Sequence, residues 1–469
     1  MFEFERLHPA GILVSTLRTL KGILLPFLLL LASGRGEGAG YQLLYSILPV
    51  AISIGVGIFR WRSFSYGIAE GELRIYQGVL LKKSRYIRLD KIQSLDITQG
   101  VIQRLFKVVS VKIETAGGTK GGEPEAVLEA ITSRKAEALG QIIKEGRQAV
   151  LPPRGEHPER KTYSPANRDL WIFAATSGRV GVIFSGAAAV LLQFQEVIPY
   201  RRVLLGIEDY AASGSAAIVL LLLAAFLLAY GAAIINILLK LANFSVERTS
   251  SDLIVSSGLI ETRQVTIPFK KIQAIRISEN PFRQPLGYVS VSLYYAGGTK
   301  GRGHSKTILL PLIKREKLEG IFGSLLPEYS LPGSLHGAAN RSKYRFIGRP
   351  VLICLPVAAV ISILFPGWGY ASFSLVAAAV LFGRSCFRDA GWHMADNLLM
   401  LRNRGISRNT YLIHKEKIQS LQISASPLQR AGGLRTITAV IISGTGAASG
   451  KVRDLENKDA QSIMNWFTH

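Results

Sequence analysis

The sequence predicts a membrane α+β protein in which three similar modules each follow an apolar helical hairpin. Three observations lead there: a long internal repeat, six apolar stretches arranged in pairs, and a basic excess alongside high hydropathy. The repeat comes first because it fixes the domain count. "KIQSLDI" at 91–97 returns as "KIQAIRI" at 271–277 and as "KIQSLQI" at 417–423. Phe64–Gly121 aligns with Phe244–Gly301 without a gap at a shift of 180 positions. That shift places Gly78 on Gly258, "VSV" at 109–111 on 289–291, and "AGGTKG" at 116–121 on 296–301. The third copy is looser: "RGI" at 404–406 fits after a one-residue deletion, and the glycine-rich end has become "SGTGAASG" at 443–450. A repeat of this size is a domain, not a solenoid unit.

Composition bounds the class. A chain of 469 residues has room for three or four domains. Hydrophobic residues make up 48% and the mean hydropathy is +0.25, yet Lys and Arg exceed Asp and Glu by 24. Together these point to a membrane protein whose cationic parts face a lipid surface. A nucleic-acid binder would be basic too, but would not need long uncharged runs, so no nucleic-acid partner is expected. The two cysteines, Cys354 and Cys386, lie in or beside an apolar run and supply neither a disulfide framework nor a CxxC site.

The apolar stretches are Ile12–Ser33 with Tyr41–Phe59, Trp171–Phe194 with Ser215–Leu239, and Pro350–Phe365 with Tyr370–Phe382. Most approach the roughly 20 residues that a bilayer-crossing helix needs. A soluble core helix would show a polar face at 3.6-residue spacing, and the segment 216–239 shows almost none. Arg18 and Lys21 interrupt what would be a signal-peptide core, so the first stretch reads as a retained span. Arg179 leaves two registers for the third span, one of which buries Gln193 and Glu196 near its far end.

Each hairpin precedes one copy of the repeat, and two crossings return the chain to the side it left. Arg6, Arg60, Arg62, Lys161, Arg168, Lys240, Arg341, Lys343, Arg345, Arg349, Arg384 and Arg388 crowd the open ends of the hairpins. The positive-inside rule therefore places the modules and both termini in the cytoplasm. Arg201 and Arg202 in the second hairpin's loop weaken that bias without reversing it. The expected order is hairpin 1–63, module 64–147, linker 148–169, hairpin 170–240, module 241–328, linker 329–349, hairpin 350–388 and module 389–469.

Within a module the pattern reads as strands and then a helix. "ELRIYQG" at 72–78 alternates and ends on a turn glycine. "RYIRLDKIQSLDI" at 85–97 holds two short strands, and Val109, Val111 and Ile113 alternate with polar neighbours. The closing helices have apolar faces at Ala136, Leu139, Ile142 and Ile143, at Leu318, Ile321, Phe322 and Leu325, and at Ala460, Ile463, Met464 and Phe467. Strands closed by one helix predict a small curved sheet or barrel capped at one end.

The order of turn glycine, "KIQ" strand, "QR" bend (Gln103–Arg104, Gln429–Arg430), alternating strand and "AGG" end resembles the bacterial pleckstrin-homology (PH) domain. More narrowly, the chain is similar to the YdbT-like integral membrane proteins that alternate helix hairpins with such domains. The resemblance implies two packed antiparallel sheets with a C-terminal helix in each module. It also implies a bacterial inner-membrane location, and small membrane PH proteins or further copies of the chain as partners. It implies little about activity, because a fold is weak evidence of function.

Candidate chemistry is sparse. "AGGTKGG" at 116–122 lacks the Ser or Thr that follows the lysine of a Walker A loop and opens no helix, so it reads as a flexible bend; Lys120 and Lys300 remain candidate anion contacts. Ile92, Ile272 and Ile418 of the "KIQ" phrase read as core-facing, with Gln93, Gln273 and Gln419 bonding a turn backbone. The run 82–91 carries Lys82, Lys83, Arg85, Arg88 and Lys91, and its second copy is thinner, with Arg263, Lys270 and Lys271. A solvated basic face is the plain reading of such a run. The linkers "RWRS" and "LAN" after the hairpins span no more than roughly 15 Å at about 3.5 Å per residue. The modules are therefore held against the lipid, where each cation is worth around 1 kcal/mol beside anionic phospholipid. The scattered histidines, and the lack of HExxH or GxSxG, predict no enzyme, metal or cofactor. The expected function is a binding platform or scaffold; the alternative is a six-helix transporter or channel with cytoplasmic regulatory domains.

Overall fold

A computed structural model describes residues 2–17, 39–78, 81–115, 125–148, 161–177, 216–296, 306–331, 333–365, 368–441 and 448–468. The chain divides into two compact units, the first running to Thr266 and the second from Ile267 to the C-terminus.

In the first unit, β1 (Phe2–Arg6) comes first. Residues 10–17 are helical, and α1 (Ala39–Arg62) is the next described element. Then come β2 (Ser65–Ala69), β3 (Glu72–Gln77) and β4 (Lys83–Arg88), which complete a sheet of order β1-β2-β3-β4. A 3₁₀ turn over Leu89–Lys91 leads into β5 (Ile92–Gln99), the short helix α2 (Val101–Leu105), β6 (Val108–Thr115), β7 (Ala126–Thr132) and the closing helix α3 (Ser133–Gln148). Alternation decides the core. Leu73, Ile75 and Ile87 from one sheet meet Leu95, Val111, Ile113 and Leu128 from the other, and Ala136, Leu139 and Ile143 of α3 close the end. The second repeat starts here with β8 (Lys161–Tyr163), α4 (Asn167–Ala175), α5 (Ala216–Leu241), β9 (Ser245–Arg248), β10 (Asp252–Ser257) and β11 (Thr262–Pro268).

The second unit continues with β12 (Ile272–Glu279), β13 (Tyr288–Tyr295), β14 (Lys306–Lys314) and α6 (Leu318–Leu325). The third repeat follows as β15 (His336–Gly337), α7 (Lys343–Leu364), α8 (Phe373–Asp389), β16 (Gly391–Ala395), β17 (Leu398–Arg404), β18 (Arg408–His414), β19 (Ile418–Ser424), α9 (Pro427–Ala431), β20 (Leu434–Ile441), β21 (Ala448–Glu456) and α10 (Asn457–Thr468). Its core mirrors the first repeat: Leu399, Leu401 and Ile413 meet Leu421, Ile437 and Ala439, with Ala460 and Ile463 of α10 at the end. The antiparallel sheets and closing helices match the expected module, and Ile92, Ile272 and Ile418 are all buried.

Two features depart from expectation. The sheets are not confined to modules: both units contain a seven-stranded sheet, β7-β6-β5-β11-β10-β9-β8 in the first and β14-β13-β12-β18-β17-β16-β15 in the second. The strand preceding each hairpin was also unforeseen. β1 pairs with β2, β8 with β9 and β15 with β16, so the strand ahead of each expected hairpin pairs with the strand after it.

Among the described residues, 340–364 and 369–389 are the two helical stretches long and apolar enough to cross a membrane, where the sequence led us to expect six. The helices α1 and α5 are 24 and 26 residues long. Much of the first and third expected spans (18–38 and 178–215) lies outside the described residues, as do Arg179, Gln193 and Glu196. Helix α7 starts seven residues before the expected Pro350, because Arg345 and Arg349 extend it into ion pairs with the domain. The helix pairs approach through small residues. A Cβ at Gly57 would lie 2.8 Å from Thr16 Oγ1, and one at Gly383 would lie 2.6 Å from Ile347 Cα. Close backbone approach of this kind is how membrane helices pack.

Candidate functional site at the strand edges

Each seven-stranded sheet arises because a "KIQ" strand pairs antiparallel with the third strand of the next repeat. β5 meets β11 from Leu95 opposite Thr266 to Gln99 opposite Thr262. β12 meets β18 from Ile275 opposite Leu412 to Glu279 opposite Arg408. Aligned by repeat, the two registers are the same. One joint has been written twice, once in each unit.

Side chains lock both joints at the same diagonal. In the first, Arg263 donates from Nε and Nη2 to both Asp96 oxygens at 3.2 and 2.9 Å. In the second, Arg276 occupies the place of Asp96 and donates to Asn409 Oδ1 at 3.0 and 2.7 Å, Asn409 standing where Arg263 stood. A fork against a carboxylate and a fork against an amide are both charge-assisted. The segment after each "KIQ" strand also takes part in the joint. Arg104 Nη1 donates to the Leu259 carbonyl at 2.9 Å, and Gln284, at the same repeat position, accepts from Arg404.

The second joint carries an additional cluster. Arg408 donates to buried Glu279 and, at 3.3 Å, to Asp389 at the end of helix α8; Arg404 also bonds Asp389. Burial works to lower the Arg408 pKa, but hydrogen bonding and charge from Glu279 and Asp389 carry it above its ordinary value. Helix α7 is fixed in a similar way. Asp454 is fully buried, accepts from Gln429 Nε2 at 2.8 Å, and pairs with Arg345 at 3.3 Å and Arg349 at 2.6 Å. Gln103 and Gln429 of the "QR" bends are both buried; the corresponding Arg283 is buried too, which brings its pKa down to about 10.

The basic candidates separate into three groups. Lys82, Lys83, Lys91 and Lys270 are exposed, while Lys271 is half-buried. Arg85 is half-buried and donates to the Glu125 carbonyl, and Arg88 forms a 3.1 Å ion pair with Asp90. Both of these have a partner within their own module, and Arg88 stays exposed. Lys120, Lys300 and the glycine-rich bends lie outside the described residues. Of the "KIQ" glutamines, Gln273 donates to the Lys271 carbonyl at 3.3 Å, Gln419 is exposed, and the Gln93 side chain lies outside the described residues.

Of the joint residues, Arg263 was read only as a cation of the second copy's basic run, and Asp96, Arg276, Asn409, Glu279 and Arg408 escaped the sequence reading. One signal was present: Asp96 and Arg276 place opposite charges at the same repeat position, each between two apolar neighbours. Among the described residues, no three side chains of the metal-ligating kinds converge.

Comparison with known proteins agrees with the repeat. The bacterial PH domain family matches residues 16–147, 196–328 and 350–469. The chain is 32% identical over 497 aligned positions to the UPF0699 transmembrane protein YdbT of Bacillus subtilis (strain 168), covering 100% of this chain and 99% of that protein. No solved structure matches. Three family matches, one for each repeat, together with similarity running the whole length of a transmembrane relative, establish the chain as a member of the bacterial PH domain family of transmembrane proteins.

Proposed function

We propose that the protein is a non-enzymatic scaffold of the bacterial inner membrane. Six spans hold three PH-like domains on the cytoplasmic face, where they contact protein or anionic lipid. The observation that carries this reading is the pairing of β1 with β2, β8 with β9 and β15 with β16. A hairpin whose two ends are neighbours in one sheet returns to the face it left, and the cations at those ends select the cytoplasm. The indole of Trp61, in the last turn of α1, donates to the Leu7 carbonyl at 2.7 Å and closes the first hairpin over its sheet. Buried charges are spent on joints and hairpin anchors, and Lys82, Lys83 and Lys91 remain on the surface.

Fluorescent and alkaline-phosphatase reporters placed after Gly121, Gly301 and His469 test the placement. All three are expected to report cytoplasm, and one periplasmic signal removes the reading. A photo-reactive residue at exposed Ser84 in living cells tests the platform. Capture of protein or lipid is expected, and capture of neither at any expression level discards it.

A further inference from the structure

The internal joint has two halves, a "KIQ" strand and a third strand, and among the described residues the terminal repeats leave one of each open. β4 ends the four-stranded sheet and β19 ends the three-stranded sheet. We propose that β19 of one copy pairs antiparallel with β4 of a second copy, which deepens the scaffold reading and rests on it. The joint is heterologous, because each copy offers both halves, so assembly runs head to tail.

The register follows from the two joints already made. Carried over by repeat position, it sets Leu421 opposite Tyr86, Gln422 opposite Arg85, Ile423 opposite Ser84, Ser424 opposite Lys83 and Ala425 opposite Lys82. Each pair has an internal counterpart. Ile423 with Ser84 repeats Ile97 with Gln264 and Ile277 with Thr410. Lys83 takes the place of Arg263 and Asn409, and Gln422 that of Asp96 and Arg276, which restores a cation–amide pair on the same diagonal. No cation lies within 421–425 to repel Lys83.

The ends of the joint fit as well. Arg430 holds the place from which Arg104 reaches the Leu259 carbonyl, and it is exposed. Lys91 holds the place of Lys417, whose Nζ donates to the Lys270 carbonyl at 3.2 Å in the second joint, and it is exposed too.

Exposure marks these edges as the unfilled version of the joint. Leu412 is fully buried where Tyr86 is 57% exposed, and Asp96 is buried where Gln422 is exposed. An unpaired strand edge is a template for another strand, and confinement to one membrane face raises the effective concentration of copies.

The test uses the full chain in native membranes, with Cys354→Ala and Cys386→Ala. Ser84→Cys and Ile423→Cys, placed on differently tagged chains, should form an intermolecular disulfide on mild oxidation, and a ladder when both are in one chain. Lys83→Cys with Ser424→Cys, both at exposed positions, reports independently if the Ile423 change disturbs the fold. Gln422→Lys should lower the yield of the Ser84–Ile423 cross-link about fivefold by setting like charges together, and adding Lys83→Glu should restore it. Yields no higher than from single-cysteine chains, or yields indifferent to Gln422→Lys, overturn the proposal. So does capture at Ser84 of a different protein in place of the second copy. Those failures leave the cytoplasmic platform standing, since the reporters and photo-capture test it separately.

Discussion

The β5–β11 and β12–β18 joints share a register yet differ in chemistry. The first is held by one carboxylate–guanidinium fork, Asp96 with Arg263. The second inverts the charged side, replaces the acid by Asn409, and adds Glu279, Arg408, Asp389 and Arg404. Register is therefore set by the backbone ladder and by apolar alternation, which a one-residue slip would reverse. Charge then tunes how firmly the strands hold and what else they couple to. The second joint couples to a membrane hairpin, because Asp389 closes helix α8; the first has no such acid among its described contacts.

That difference gives graded expectations. The largest is for Arg408→Ala, which leaves Glu279 and Asp389 buried with a cation removed. About 3 kcal/mol of stability should be lost, read by thermal unfolding in detergent. Arg263→Ala in the first joint should cost about 1 kcal/mol, because the guanidinium is 31% exposed and water can replace it. Equal losses would mean that the two joints are equivalent after all.

The turns before the joints sharpen the contrast. Gly258 sits at φ +111°, and a Cβ there would lie 1.9 Å from the Glu261 carbonyl oxygen, whereas a Cβ at Gly405 meets nothing within 4 Å. Gly258→Ala should cost about 2 kcal/mol and Gly405→Ala under about 0.5 kcal/mol, by the same measurement.

Transplanting chemistry is the third test. Asp96→Arg with Arg263→Asn rebuilds the second joint's pair inside the first. The double variant should lie within about 0.5 kcal/mol of the parent, while Asp96→Arg alone sets two cations together and falls well below it.

The smallest effect is a pH difference. His414, at the end of β18, packs its ring edge-on against Tyr329 at 4.4 Å, and burial lowers its pKa below the ordinary 6.5. The unfolded chain then takes up a proton first as pH falls. The contribution is complete above pH 6.5 and is lost as the pH drops through the folded value. His414→Phe should flatten acid destabilisation in that window, as seen in unfolding midpoints across pH. Pro268 occupies the matching position of the first joint and has nothing to titrate.

Much of the module could be read from the sequence, because its signals are local. The buried isoleucines of "KIQ", the "VSV" alternation and the apolar faces of α3, α6 and α10 each follow a period visible within ten residues. The joints could not be read that way. Asp96 and Arg263 lie 167 positions apart, and nothing in a strand's own residues names its neighbour in a sheet. The strands ahead of the hairpins were equally hidden, since β15 is two residues long and its partner lies beyond two helices. Arg85 read as part of a basic face because its anchor, the Glu125 carbonyl, becomes a partner only once the sheets pack, whereas the Arg88–Asp90 pair lies within two residues of sequence.

The pairing of β1 with β2, of β8 with β9 and of β15 with β16 orders events during synthesis, because helical chain lies between the two strands of each pair. β1 leaves the ribosome almost sixty residues before β2, the strand it must meet. At 5–20 residues per second that wait lasts about 3–12 seconds. During the wait the whole of α1 must be made, so a nascent chain that misplaces this helix cannot finish its first sheet. The order of synthesis thus becomes part of folding, and until β2 arrives β1 is an open strand exposed to proteolysis.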